Sequence, residues 1–185
     1  MQKSVFVLSG YHGVGKTSIW KKVCLQLDSS DIVPIGEFAR GMLEDGHLLN
    51  WANLFEESNF RNFYLAFELL LLKTSKLFWK YWLDKKKILF CDRSFLDIIA
   101  YCRTYLPPDL WEGVIEKECE ELFSLNERMY TFVLRRENID DAGWIDNLYD
   151  LLGNLGFVYE TLTLKKNFEN EEDVIRRISM VLKGG

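Results

Sequence analysis

The chain has 185 residues, 48% of them apolar, which is about the size of a single domain and enough for one substantial core. Its formal net charge of −5 and the lack of any long Lys/Arg block exclude the electrostatic footprint of a long nucleic acid and favour a small anionic ligand in a local basic pocket. Cys24, Cys91, Cys102 and Cys119 are too widely spaced for a C-x-x-C pair or a zinc site, so free thiols in a reducing cytoplasm are expected.

Met1 leads almost directly into a strand-like run at 4–8, without the charged leader and small-residue cleavage site of a signal peptide, which again suggests a cytoplasmic protein. Further strand-like runs follow at 32–36, 87–91, 129–134 and 157–164. Between and after them the apolar periodicity predicts helices over 15–28, 54–83, 94–105, 109–125, 143–154 and 171–183. The stretch from Phe63 to Leu83 is strongly apolar but carries Glu68, Lys73, Lys76 and Lys80, too many charges for a membrane span, and reads as a long buried helix. Alternation of strands and helices predicts an α/β fold over 1–185, with five mostly parallel strands covered by helices on both faces. In such sheets ligands bind beyond the carboxyl ends of the strands.

The residues after the first strand fit that rule. Gly10-Tyr11-His12-Gly13-Val14-Gly15-Lys16-Thr17 has the spacing G-x-x-x-x-G-K-[ST] between an apolar strand and a helix, the context of a P-loop in a three-layer P-loop NTPase fold. Gly10, His12, Gly13, Val14, Gly15, Lys16, Thr17 and Ser18 are therefore expected around the phosphates of ATP, with Lys16 as the point charge and Thr17 as a ligand to Mg2+. The third strand ends in Asp92, followed by Arg93 and Ser94. An apolar strand ending in Asp suits a carboxylate that takes a water of the Mg2+ shell or accepts a proton, with Arg93 adding positive charge; the alternative is an Asp that merely caps the helix at 94–105.

Taken in order, Gly10–Thr17, Ile35-Gly36-Glu37-Phe38-Ala39-Arg40 and LFCDRSFLDIIAY resemble the thymidylate kinase and deoxynucleoside kinase group of P-loop kinases. The E-F-A-R step is also similar to the E-x-A-R of kinases related to nicotinamide riboside kinase. That resemblance implies an ATP- and Mg2+-dependent phosphotransferase acting on a nucleoside, a nucleoside monophosphate or a related small metabolite, and leaves a homodimer open. It places Glu37 toward the acceptor as base or hydroxyl anchor, against a plain surface-loop reading, and makes Arg40 either a substrate-phosphate ligand or a partner of Glu37 or Glu44. Arg135 and Arg136 would begin a short lid near 135–143 whose arginines close over the γ-phosphate, or would form a solvated turn pairing with Glu137, Asp140 and Asp141.

Phe60, Phe63, Tyr64 and Phe67 share one helical face beside Arg61, where an acceptor base can stack or where the rings simply pack in the core. The rival function is a non-kinase P-loop NTPase that acts as a conformational switch, or an ATP-binding regulatory module. Neither a GTPase base-reading N-K-x-D nor an arm for a mechanical ATPase is present in the sequence.

Overall fold

The computed structural model describes residues 3–27, 30–37 and 60–184. Among them the strands are β1 (Val5–Gly10), β2 (Ile32–Ile35), β3 (Ile88–Asp92), β4 (Met129–Arg136) and β5 (Val158–Leu164). The helices are α1 (Lys16–Gln26), α2 (Phe60–Asp84), α3 (Phe95–Tyr105), α4 (Pro108–Trp111), α5 (Ile115–Phe123), α6 (Ala142–Asn154) and α7 (Glu171–Gly184). All neighbouring strands pair in parallel, in the order β2-β3-β1-β4-β5.

Both faces of the central strands are covered, which is why their sequences are apolar without alternation. From β1, Val5 and Val7 join a core with Leu89 and Cys91 and with residues of α2, α3, α5 and α6, while Phe6 and Leu8 join Phe90, Phe132 and Leu134 beneath α1 and α7. Strand register brings Leu8 level with Asp92 and Gly10 level with Leu134, so the carboxyl ends of β1, β3 and β4 lie at one edge of the sheet. None of the four cysteines forms a disulfide, and all but Cys24 are buried. No helix among the described residues is long and apolar enough to cross a membrane.

Two boundaries depart from the sequence reading, and a third falls partly outside the described residues. The helix expected over 109–125 is two helices, because Pro108 starts a single turn at N1 and Gly113, at φ 73°, takes a left-handed conformation that stops it before α5 begins. β4 runs on through Arg135 and Arg136, so both arginines belong to the strand rather than to a following loop. For the helix expected over 54–83, the described part is α2, and 54–59 lie outside the described residues.

Candidate functional site

The β1–α1 turn closes on itself. A Cβ at Gly10 would stand 2.5 Å from the carbonyl oxygen of Leu134, so only glycine lets the turn leave the sheet this close to β4. Gly15, the N-cap of α1, sits at φ 102° with its Cα facing the Phe168 ring. Val14 is buried in the core beneath, whereas His12, Gly13 and Ser18 remain exposed around the rim. Lys16 is folded inward, 5% exposed, and its Nζ donates to the Tyr11 carbonyl at 2.8 Å. Burial, with Arg93 adding to it, pushes the Lys16 ammonium down to about 7, against the opposing pull of Asp97, Asp92 and Glu37. The first N–H groups of α1 and this under-compensated cation together suit a polyanion.

Thr17 and Asp92 meet across the gap between α1 and β3: the Thr17 hydroxyl donates to Asp92 Oδ2 at 2.9 Å. Asp92 is 3% exposed, and its other oxygen, Oδ1, is buried without a hydrogen-bond partner. Burial raises the Asp92 pKa, only partly countered by the Thr17 bond. A hydroxyl beside a carboxylate with an unused buried oxygen is the hard-oxygen donor set that Mg2+ takes together with nucleotide phosphates and waters. The capping alternative for Asp92 does not hold, because the N-cap of α3 is Ser94, whose Oγ accepts from the Leu96 N–H while its own N–H donates to Asp97.

Arg93 follows at φ 78°, a left-handed conformation that a non-glycine residue rarely adopts, and its side chain is correspondingly over-determined. Its Nε lies 2.6 Å from Glu37 Oε1, an Nη donates to the Tyr101 hydroxyl at 2.8 Å, and the guanidinium stands over the Tyr101 ring at 5.1 Å. His12 approaches from the P-loop, with Nδ1 3.5 Å from Arg93 and its ring between those of Tyr11 and Tyr101. Partial burial, then Arg93 and Lys16, push its imidazole down to about 4. Glu37 thus joins the site from the end of β2, paired with Arg93; Arg40, its other expected partner, lies outside the described residues.

The two β4 arginines diverge. Arg135 makes a bidentate pair with Asp141 at 3.0 and 2.7 Å, which holds the start of α6, as one of the pairings expected for a basic turn. Arg136 donates to the Lys166 carbonyl at 2.7 Å and lies 4.0 Å over the ring of Phe168, the residue that faces Gly15. Of the aromatic helical face, Phe67 is buried in the core, and Tyr64 meets Tyr105 edge-on. Phe60 and Arg61 fall within α2, but their side chains, like that of Phe63, lie outside the described residues. Trp79, Trp111 and Trp144 are core residues, the last touching Tyr11 and Tyr101; Trp51 and His47 lie outside the described residues.

Several site residues escape a motif reading. Asp97, 1% exposed, accepts from Ser9 Oγ at 2.7 Å and from the Ser94 N–H at 2.8 Å, tying the end of β1 to the start of α3 beneath the P-loop. The S-x-x-D spacing of Ser94 and Asp97 carries a capping-box signal that leads to this residue. Tyr11 and Tyr105 share a hydroxyl hydrogen bond of 2.8 Å, and Phe168 arrives from the β5–α7 loop; neither contact has a local sequence signal.

The family described as AAA domain (AAA_28) matches residues 5–167. A protein of Acidianus bottle-shaped virus (isolate Italy/Pozzuoli), named "Putative thymidylate kinase", is 26% identical over 129 residues, which is 70% of this chain and 67% of the viral protein. Among solved structures, the thymidylate kinase of Ehrlichia chaffeensis superposes with a TM-score of 0.58 at 18% identity, covering 98% of this chain and 100% of that one. The parallel sheet and its flanking helices are thus the thymidylate kinase fold, in line with the kinase group that the motifs resemble. With its profile running from the first strand past the fifth, the chain belongs to this AAA domain family of P-loop proteins.

Proposed function

We propose that this chain is an ATP- and Mg2+-dependent kinase that transfers the γ-phosphoryl group to a nucleoside or nucleoside monophosphate. The observation that carries the reading is the position of Arg93, which touches Glu37 from β2 and Tyr101 from α3 and approaches His12 of the P-loop. One cation therefore faces both the phosphate side of the cleft and the side left for an acceptor. The names of the viral relative and of the Ehrlichia chaffeensis enzyme support a nucleotide as that acceptor.

Lys16 and the N–H groups at the start of α1 bind and orient the phosphates. Thr17 and Asp92 would hold Mg2+, which neutralises charge on the phosphate oxygens when bound. Glu37 orients the accepting group and, where that group is a hydroxyl, receives its proton, while Arg93 draws the negative charge of the acceptor toward the same point. Arg136, stacked on Phe168 beside Gly15, covers the donor site from β4. Arg135, engaged by Asp141, positions α6.

The test is ADP release with ATP and Mg2+ alone and then with a panel of nucleosides and nucleoside monophosphates. A kinase is stimulated strongly by one or a few of these compounds. Turnover unchanged across the panel would instead favour a nucleotide-driven switch or a binding module.

A further inference from the structure

The two edges of the sheet are finished differently. β2 is four residues long, and because the Asp31 carbonyl accepts from the Ile88 N–H of β3 at 2.9 Å, alternation turns Pro34 outward, where it offers no N–H to an approaching strand. β5 forms the other edge with seven residues, Val158-Tyr159-Glu160-Thr161-Leu162-Thr163-Leu164, none of them Pro, Gly or Lys. Its β-branched and aromatic composition is that of an open strand, without the residues that commonly guard an edge.

The Leu164 carbonyl accepts from the Glu137 N–H at 3.1 Å, so Leu164, Leu162, Glu160 and Val158 direct their backbone groups to the β4 side, and Tyr159, Thr161 and Thr163 direct theirs away from the sheet. Asn170 takes one of these outward groups, donating to the Thr163 carbonyl at 2.9 Å. Among the described residues nothing hydrogen-bonds the outward N–H and C=O of Tyr159 and Thr161 or the N–H of Thr163. The side chains around them face solvent: Val158 is 44% and Tyr159 42% exposed. Tyr149 of α6 supports this patch, its ring 5.5 Å from that of Tyr159 and its hydroxyl 2.8 Å from the Thr161 hydroxyl.

We propose that β5 is a docking edge for a second copy of this chain, the two β5 strands pairing antiparallel about a two-fold axis through Thr161 to make one continuous sheet. A second copy fits because the strand complements itself in this register. Thr161 faces Thr161, Tyr159 faces Thr163 and Glu160 faces Leu162 of the other copy, and all three outward residues find partners. Glu160 is the only charged residue of the strand, and Arg177 of α7 already holds it through two N–H groups at 2.9 and 3.0 Å, so no bare charge meets its like. A slip of one residue is disfavoured in either direction: an axis through Glu160 sets the two carboxylates opposite each other, and one through Leu162 drives the strand end against Asn170. One strand from each copy contributes at or below the total of about 1,200 Å2 at which stable interfaces begin, so the dimer is weak and forms as concentration rises. The surface lies on the fold itself and is independent of the kinase reading.

Sedimentation velocity of the full chain between about 1 and 300 µM is expected to show a monomer–dimer equilibrium with a dissociation constant on the order of 10–100 µM. Thr161→Pro removes an outward N–H without touching the β4 ladder, and Tyr159→Lys places a charge on the edge; each should weaken the dimer about ten-fold or more. Thr161→Cys brings two thiols together across the axis, where paired Cα atoms stand about 5.5 Å apart, and should form an intermolecular disulfide under mild oxidation. Thr163→Cys, whose copies would lie about 14 Å apart along the strands, should not. Thermal melting identifies a variant that fails to fold, and Tyr159→Lys with the two cysteine variants decides the matter if Thr161→Pro is lost. A wild type that stays monomeric throughout, a dimer that the folded edge variants leave unchanged, or equal cross-linking at positions 161 and 163 would each overturn the proposal.

Discussion

Arg93 and Glu37 form an ion pair of 2.6 Å between residues that leave two different strands, and both side chains are largely enclosed. If Glu37 orients the acceptor, Glu37→Gln should lower acceptor-dependent ADP release by about 100-fold or more, while slow hydrolysis of ATP by water falls far less. Steady-state assays with and without the acceptor distinguish the outcomes. Equal loss of both rates would assign Glu37 to holding Arg93 alone, and no loss would remove it from the site.

Asp92→Asn tests the metal assignment. Asn keeps the shape and an acceptor for the Thr17 hydroxyl but removes the charge that the unpartnered Oδ1 offers to a cation. The maximal rate should drop by about 100-fold and the Mg2+ concentration for half-maximal activity should rise, with a smaller change in ATP affinity. A Mg2+ titration that superposes on wild type would count against Asp92 as a ligand.

Substitution of the two neighbouring arginines should separate stability from catalysis. Arg135→Ala leaves the carboxylate of Asp141, 4% exposed, without its bidentate partner, and is expected to cost about 1–3 kcal/mol in urea unfolding. Arg136→Ala removes a cation from the ring of Phe168 and should unfold near the wild-type midpoint while lowering ATP-dependent turnover by about ten-fold or more. The reverse pattern, with Arg135 kinetically critical and Arg136 silent, would exchange their roles.

The strands and the P-loop could be read from the sequence because their signals are local: an apolar run of strand length, fixed glycine spacing, and a charged residue where the run stops. Asp92 and Arg93 belong to the same class, since the end of β3 marks them. What the sequence could not show are the partners. Which of Arg135 and Arg136 is held by α6 and which stands by the P-loop depends on Asp141 and on Phe168, which reaches Gly15 from a loop 153 positions later in the chain, measured from residue 15 to residue 168. The break at Gly113 was hidden for a different reason: the apolar periodicity continues across it, and only the left-handed backbone ends the helix. Glu68 looked like one more charge in a long helix until the packing of α2 on the core showed that it points inward.

Glu68 also predicts how stability changes with pH. Burial raises its carboxyl to about 7, well above the unfolded value near 4.5, so between those limits the folded protein holds more protons than the unfolded chain. The contribution of the neutral acid is fully present below about pH 4.5 and is lost as pH rises through about 7. Wild type should therefore lose stability relative to Glu68→Gln over that window, by on the order of 2–3 kcal/mol in urea unfolding compared at pH 5, 6, 7 and 8. Parallel curves for the two proteins would show that Glu68 is ionised in the folded state throughout.

The hydroxyl contact between Tyr11 and Tyr105 joins two parts of the cleft that lie far apart in the chain. Tyr11 belongs to the β1–α1 turn, and Tyr105 is the last residue of α3, 46% exposed and in contact with Tyr64 of α2. The P-loop side of the cleft is thereby tied mechanically to the wall that α2 and α3 build, and a displacement of the turn is transmitted to the end of α3 through a single exposed hydrogen bond.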